Sequence, residues 1–347
     1  MAAFFYFSFS YILKNIMKLS IGIVGLPNVG KSTLFKALTN QDITIANYPF
    51  ATIDPNVGIV PVPDDRLQKL TELSSSKKTI PAVVEFYDIA GLVKGANQGE
   101  GLGNQFLSHI RDTQAIVLVL RVFQDSDIMH VESTVDSLRD LEIINTELIL
   151  KDLDAVEKRL KKLEGEARTG DKKAAKNFEV LKNVKAELEK GNLIWQLHDE
   201  EIVRDLQLLT AKKQLYFLNG TLEEAPAALL EKIKSMGGDY IAGDLKGAFD
   251  LGTLIRKAYE ILDLISFFTT GEDETRAWTI PKGTLAPQAA GTIHTDFDKN
   301  FIRLEVVPYE KLVASGGWSQ ARQKGVLRLE GKEYTVQDGD VVVVRHG

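Results

Sequence analysis

The 347-residue chain has no cysteine, which excludes disulfides, thiolate-held zinc and cysteine nucleophiles and fits a reducing compartment. It also lacks an excess of positive charge: 42 Lys and Arg against 48 Asp and Glu leave a net charge of −6. No overall basic field therefore draws the chain onto nucleic acid or anionic lipid, and any RNA contact has to be local. Long hydrophobic runs are missing too. The apolar aromatic stretch within residues 1–16, from Phe4 to Leu13, is too short to span a bilayer, and its positive charge, Lys14, follows the run where a secretory signal would carry it in front. Residues 1–16 read as an over-extended start or a disordered tail ahead of Met17, with a membrane-surface anchor as the alternative. The expectations are a cytoplasmic location and no membrane partner. A hydrophobic content of 44% over this length is enough to bury more than one core.

What is present begins with residues 25–32, Gly-Leu-Pro-Asn-Val-Gly-Lys-Ser, a complete G-x-x-x-x-G-K-S phosphate loop between a strand-like run at 19–24 and a helix-like run from Thr33. The spacing gives each residue a separate task. Gly25 and Gly30 let backbone N–H groups curl around phosphates, Lys31 reaches the β and γ oxygens, and the Ser32 hydroxyl ligates Mg²⁺. Asn28, Val29 and Thr33 complete the nucleotide-binding set. Asn28 has two readings, a K⁺ ligand beside the transferred phosphate or a turn-forming residue after Pro27.

Downstream, Val83-Val84-Glu85-Phe86-Tyr87 reads as a buried strand ending in Asp88-Ile89-Ala90-Gly91, a D-x-x-G switch. In a phosphate-loop enzyme that Asp holds Mg²⁺ through water and the Gly N–H senses the γ-phosphate. Between the motifs, Thr52 in Asn47-Tyr48-Pro49-Phe50-Ala51-Thr52 is the candidate third oxygen on the metal. The near-continuous apolar run at 115–122 reads as a parallel strand covered on both faces. Together these predict an α/β fold, a doubly wound P-loop domain of the GTPase type.

The segments Gly25-Leu-Pro-Asn-Val-Gly-Lys-Ser-Thr-Leu-Phe35, Asp88-Ile-Ala-Gly-Leu-Val-Lys-Gly-Ala96 and Gly99-Glu-Gly-Leu-Gly-Asn-Gln-Phe106 resemble YchF, the Obg-like ATPase family. So do Arg276-Ala-Trp-Thr-Ile-Pro281 and Ala286-Pro-Gln-Ala-Ala-Gly-Thr-Ile-His-Thr-Asp-Phe297, so that the likeness covers nearly everything after Met17. The resemblance implies a Mg²⁺-dependent ATPase of GTPase ancestry, associated with ribosomes or rRNA. It also implies a helical insertion and a C-terminal TGS domain of ubiquitin-like β-grasp fold.

Two absences bear on chemistry. No N-K-x-D tetrapeptide occurs, so guanine loses the Asp that would accept from its N1–H and 2-amino group. The equivalent stretch, Asn219-Gly220-Thr221-Leu222-Glu223, offers Asn219 as a base contact and departs from the family's N-x-x-E by placing Leu222 where Glu is expected. ATP is favoured, with GTPase or dual ATP/GTP activity as the alternative. The residue after Gly91 is Leu92, where a Ras-like enzyme carries the water-orienting Gln. Another segment must then position water. His130, which matches a family His thought to act in hydrolysis, is the catalytic candidate beside Lys31, its alternative being a structural loop residue. His109 and His294 read as non-catalytic.

From residue 140 onward, Ile149, Leu153, Val156, Leu160 and Leu163 form an apolar stripe, broken at Thr169-Gly170-Asp171 and resumed by Ala174, Phe178, Leu181 and Leu188. This predicts two antiparallel helices, a projecting arm whose lysines are largely balanced by glutamates. The expected organisation is a nucleotide domain at 17–139 and 205–266, the arm at 140–204 and the glycine-punctuated β-rich TGS unit at 267–347, acting as a monomer. A rival from another class is a nucleotide-locked RNA- or ribosome-binding module with incidental turnover. A signalling-nucleotide synthetase fails for want of a second carboxylate cluster.

Overall fold

The computed structural model describes residues 20–40, 56–89, 104–124, 135–168, 170–247 and 249–347. The leading segment 1–16 lies outside them. At the centre is β1 (Ser20–Val24), buried at every position and parallel to both β4 (Val83–Asp88) and β5 (Ala115–Arg121). Next to β5 lie β6 (Lys213–Asn219) and β7 (Asp239–Gly243), also parallel, while β2 (Val57–Pro61) closes the other edge antiparallel to β4. The order β2-β4-β1-β5-β6-β7 means the chain leaves β1 to one side and later crosses to the other. In such doubly wound sheets the crevice for ligands opens at that reversal, beyond the carboxyl ends of the strands. β5 is buried throughout and apolar up to its last residue, Arg121, because helices cover both faces. Among them are α1 (Lys31–Thr39), which buries Leu34 and Leu38, and α8 (Leu251–Ile261), which buries Leu254, Ile255 and Ala258.

One long helix serves two cores. The first half of α4 (Ser137–Arg168) contributes Leu141, Ile144 and Leu148 to the main core, whereas Val156 and Leu163 farther along pack with Leu181, Val184 and Leu188 of α5 (Lys172–Glu189). The helix thus starts ahead of residue 140, at Ser137, because its root packs into the main core. Asp171 caps α5 by accepting from the amides of Lys173 and Ala174, which sets the tight reversal. At the root, the buried Asp152 carboxylate accepts from Leu209 N (3.0 Å), Thr210 N (2.8 Å) and Thr210 Oγ1 (2.6 Å), tying the helix to the returning chain. Burial raises the Asp152 carboxyl pKa and these hydrogen bonds pull it back down.

The C-terminal unit holds β8 (Leu264–Thr270), β9 (Thr275–Pro281), β10 (Phe301–Pro308), β11 (Arg328–Glu330) and β12 (Asp340–His346). β12 pairs in parallel with β8 and antiparallel with β10, and α9 (Ala286–Ile293) packs Ala286, Ala289 and Ala290 on Phe267, Leu304 and Val306. This mixed sheet crossed by one helix is the β-grasp arrangement. Residues 264–266 open β8. The helix stops at Ile261, and Asp263 turns the chain at φ 52°.

A sixth strand of this second sheet comes from far away. β3 (Thr79–Ile80) follows α2 (Asp65–Ser74) between β2 and β4, yet it pairs in parallel with β9 (Thr79 opposite Thr275). Lys77 N donates to Glu272 O and Thr275 N to Lys78 O, both at 2.9 Å. Hydroxyls fill the seam: Ser76 Oγ donates to Gly271 O (2.6 Å), and Thr270 Oγ1 donates to Ser74 Oγ (2.7 Å). Arg66 on α2 bridges Asp64 and Asp338, and Asp338 also accepts from the buried Ser266 N at 3.0 Å. Asp338→Ala should therefore lower stability by about 1–3 kcal/mol, mainly by leaving the Ser266 amide without an acceptor. Asp338→Asn, which retains an accepting oxygen, should lose less. Urea unfolding of the two variants checks this, and equal losses would contradict it.

Candidate functional site

The phosphate loop joins β1 to α1 at the carboxyl edge of the first sheet. Gly30, the residue before the helix, adopts φ 106°, and a Cβ there would lie 2.3 Å from Asn219 Nδ2, so only glycine fits both the backbone and the gap. Gly25 has a different reason: its Cβ would meet the Val119 carbonyl oxygen at 2.6 Å. Asn28 sits at φ 63°, a left-handed position that asparagine tolerates, and is exposed, while Val29 is fully buried beneath the loop. No side chain caps α1, which leaves its first amides directed at the loop. Such a helix start attracts phosphate through unsatisfied N–H groups and the helix dipole.

Lys31 is buried, and its Nζ donates to Leu26 O at 2.6 Å. Burial lowers its pKa to about 8, and the Asp88 carboxylate nearby acts in the opposite sense. Ser32 Oγ donates to Asp88 Oδ2 at 3.2 Å, so the hydroxyl at the start of α1 and the carboxylate at the end of β4 converge. Two hard oxygens side by side, one anionic, suit Mg²⁺, which takes one or two protein ligands and fills its octahedron with water and phosphate oxygens. Thr33 is exposed on the first turn of α1 and lines the same cleft.

That cleft, about 300 Å³, runs from Asn28 and residues 30–33 to Phe123, Asn219, Leu245 and Lys246. Asn219 ends β6 and is buried. Its Nδ2 donates to Val29 O at 2.9 Å, and its Oδ1 accepts from Leu245 N at 3.4 Å, so its amide ties the phosphate loop to the loop after β7. Phe123 follows β5, with the guanidinium of the buried Arg121 4.5 Å from its ring centroid and Arg121 Nε donating to its carbonyl at 3.2 Å. Lys246 Nζ lies 5.5 Å from the same centroid.

The structure thus brings together Gly25, Asn28, Val29, Gly30, Lys31, Ser32, Thr33, Asp88 and Asn219. Thr52, Gly91 and His130 lie outside the described residues. Phe123, Leu245 and Lys246 were not singled out from the sequence. The signal available was positional, since each follows the carboxyl end of a parallel strand. At the unusual Asn219-Gly-Thr-Leu-Glu stretch, Leu222 is 46% exposed, and Glu224 folds back so that its Oε2 accepts from Thr221 N at 2.7 Å. Among the described residues no group of three or more His, Asp or Glu side chains is placed to form a separate metal centre.

A family model described as a 50S ribosome-binding GTPase matches residues 20–159, and the YchF GTPase C-terminal model, described as a protein of unknown function, matches residues 264–347. The curated protein named ribosome-binding ATPase YchF of Bacillus subtilis is 47% identical, with 95% of this chain and 99% of that protein aligned. The protein of the same name from Mycoplasma genitalium is 45% identical over 93% of this chain and 98% of its own length. A solved structure of the Schizosaccharomyces pombe YchF GTPase superposes with a TM-score of 0.83 at 39% identity, covering 94% of this chain and 98% of that one. With the phosphate loop, the Asp88 strand end, the paired helices and the β-grasp sheet all in place, this chain belongs to the YchF family.

Proposed function

We propose that this chain is a Mg²⁺-dependent nucleoside-triphosphate hydrolase, ATP favoured over GTP, whose nucleotide state controls binding to the ribosome. The observation that carries the reading is the approach of Ser32 Oγ to Asp88 Oδ2 at 3.2 Å beside the buried Lys31. Those groups would hold the metal and the β and γ phosphates, with the Gly30–Ser32 backbone around the phosphate oxygens and Thr52 completing the metal's oxygen set. Mg²⁺ when bound supplies charge neutralisation on the transferring phosphate. The names of the relatives, ribosome-binding ATPase, support both the activity and the partner. Asn219 serves by fixing the loops on either side of the base, and Gly91 by sensing the γ-phosphate. K⁺ at Asn28 is the second cation of this proposal. The chain acts in the cytoplasm as a monomer, with 17–139 and 205–266 as the nucleotide unit and the arm and C-terminal unit facing the ribosome.

Leu92 follows Gly91 and has no polar atom with which to orient water. Hydrolysis therefore depends on a group brought from elsewhere, for which His130 is the candidate. The same leucine favours a second reading, a nucleotide-locked ribosome-binding module in which turnover is incidental.

Lys31→Ala and Asp88→Asn should each lower ATP kcat/KM by about 100- to 1,000-fold in Mg²⁺ while leaving the circular dichroism spectrum unchanged. Hydrolysis at the parental rate in either variant would refute the site. Ribosome co-sedimentation retained by the hydrolysis-dead proteins, with nucleotide dependence intact, would favour the binding-module reading.

Lys31 also gives a pH signature. Its value in the free protein is about 8, and triphosphate oxygens beside it favour the charged form. Above the free value the unliganded lysine is neutral while the liganded one is charged, so binding takes up a proton. Nucleotide affinity should fall as pH rises from about 8 towards 10, by up to about tenfold per unit. Calorimetry in buffers of different ionisation enthalpy measures the uptake, and a flat affinity without proton uptake would remove Lys31 from the phosphates.

A further inference from the structure

A group of charges lies apart from the cleft, and the chemistry above does not use it. Asp152, fully buried, sits on α4 between Leu148, which packs in the main core, and Val156, which packs in the arm. Its carboxylate already holds residues 209 and 210, and Lys212 follows two positions later. Lys212 turns the other way: its Nζ donates to Arg111 O at 3.0 Å and to Thr113 O. The first of these carbonyls ends α3 (Asn104–Arg111), and the second leads into β5. A helix leaves its last carbonyls without intrahelical donors and favours a cation there. Desolvation lowers the Lys212 pKa to about 8, opposed by the charges of Asp152 and Asp112 and assisted by that of Arg111. Such an ion cluster is a poor device for stability alone, since apolar side chains of similar volume often serve as well.

Thr113 leads back to the site. It is buried, and a Cβ built on Gly22 of β1 would lie 2.4 Å from Ile89 Cδ1 and 3.2 Å from Thr113 Oγ1, so both side chains press on one point. Ile89 is the residue after Asp88. We propose that Lys212 is a positioning residue through which the nucleotide site and the arm set one another's geometry. This rests on the reading of the cleft as a nucleoside-triphosphate site. Triphosphate bound beside Asp88 shifts Ile89 against Thr113, Lys212 carries the shift from the end of α3 into residues 209–212, and Asp152 passes it to α4. Because coupling between two sites is reciprocal, whatever holds the arm also biases the site.

Hydrogen–deuterium exchange of the full chain, with and without Mg²⁺ and saturating adenylyl imidodiphosphate, tests this in the parent, Lys212→Met and Thr210→Val. Methionine keeps the stem and removes the donors, whereas valine removes one hydroxyl hydrogen bond to Asp152 and leaves every charge in place. In the parent, nucleotide should slow exchange in α3 and at the arm root, residues 148–156 and 207–212, the latter by about fivefold or more. In Lys212→Met, α3 should still respond while the arm-root difference falls below about twofold. Thr210→Val should fall between the two. A merely structural role would change arm-root exchange equally in both nucleotide states and leave their ratio as in the parent, which would overturn the proposal. Should Lys212→Met fail to fold, a parental ratio in Thr210→Val would overturn it equally. Calorimetry with the same analogue separates the two readings. A parent that binds no nucleotide strikes the triphosphate site itself, whereas one that binds it without an arm-root response strikes only the coupling.

Discussion

The register of β1 against β4 is the constraint on which the candidate site depends. Ile23 lies opposite Asp88, so the two parallel strands end level with one another, and the chain leaving β1 turns through the phosphate loop directly beside the carboxylate. A slip of one residue would turn the Asp88 side chain to the other face of the sheet and separate it from Ser32. The fully buried β1, and the alternation of buried and half-buried residues along β4, hold that register through the hydrophobic core. Catalytic geometry here is thus a by-product of strand packing, and Gly22, whose Cβ would lie 2.4 Å from an Ile89 methyl, is part of the same fit.

Electrostatics then divides the site into two zones of different character. Around Lys31, burial makes the charge sensitive to its neighbours, as the lowered lysine pKa shows. At the base end, the described backbone amides of Thr221 and Lys246 are closed by hydrogen bonds within their own loops, and Lys246 lies over the ring of Phe123. The first zone can respond strongly to a triphosphate and a divalent ion because it is desolvated. The second is held as a shape, with Asn219 as the cross-tie between them.

Much of this was legible in the sequence, for identifiable reasons. β1 and β5 announced themselves because central parallel strands are apolar along nearly their whole length, and the phosphate loop because its chemistry needs particular residues at particular spacings. The arm was legible from its stripe, although the root of α4 was not, since Leu141 and Ile144 belong to another core and a stripe does not say which partner it meets. β7 (Asp239–Gly243) carries little sequence pattern, because its half-buried edge position imposes little. Phe123 and Lys246 became visible only when the sheet brought three separate loops to one edge. β3 spans two residues and carries no periodicity at all. Its strand character is supplied by a partner nearly two hundred residues away, as the Ser76–Thr275 separation of 199 positions shows.

That separation has a bearing on how the molecule is made. During synthesis β3 emerges long before β9, so through most of translation its backbone groups have no sheet to join, and their pairing closes a very long loop. The seam beside α2 therefore closes only once the C-terminal sheet has been made. A nascent or truncated chain ending before β8 would carry an open edge at β3 and leave Ser74 and Ser76 without their partners on Thr270, Gly271 and Thr275, a surface of the kind that quality-control proteases and neighbouring nascent chains encounter first.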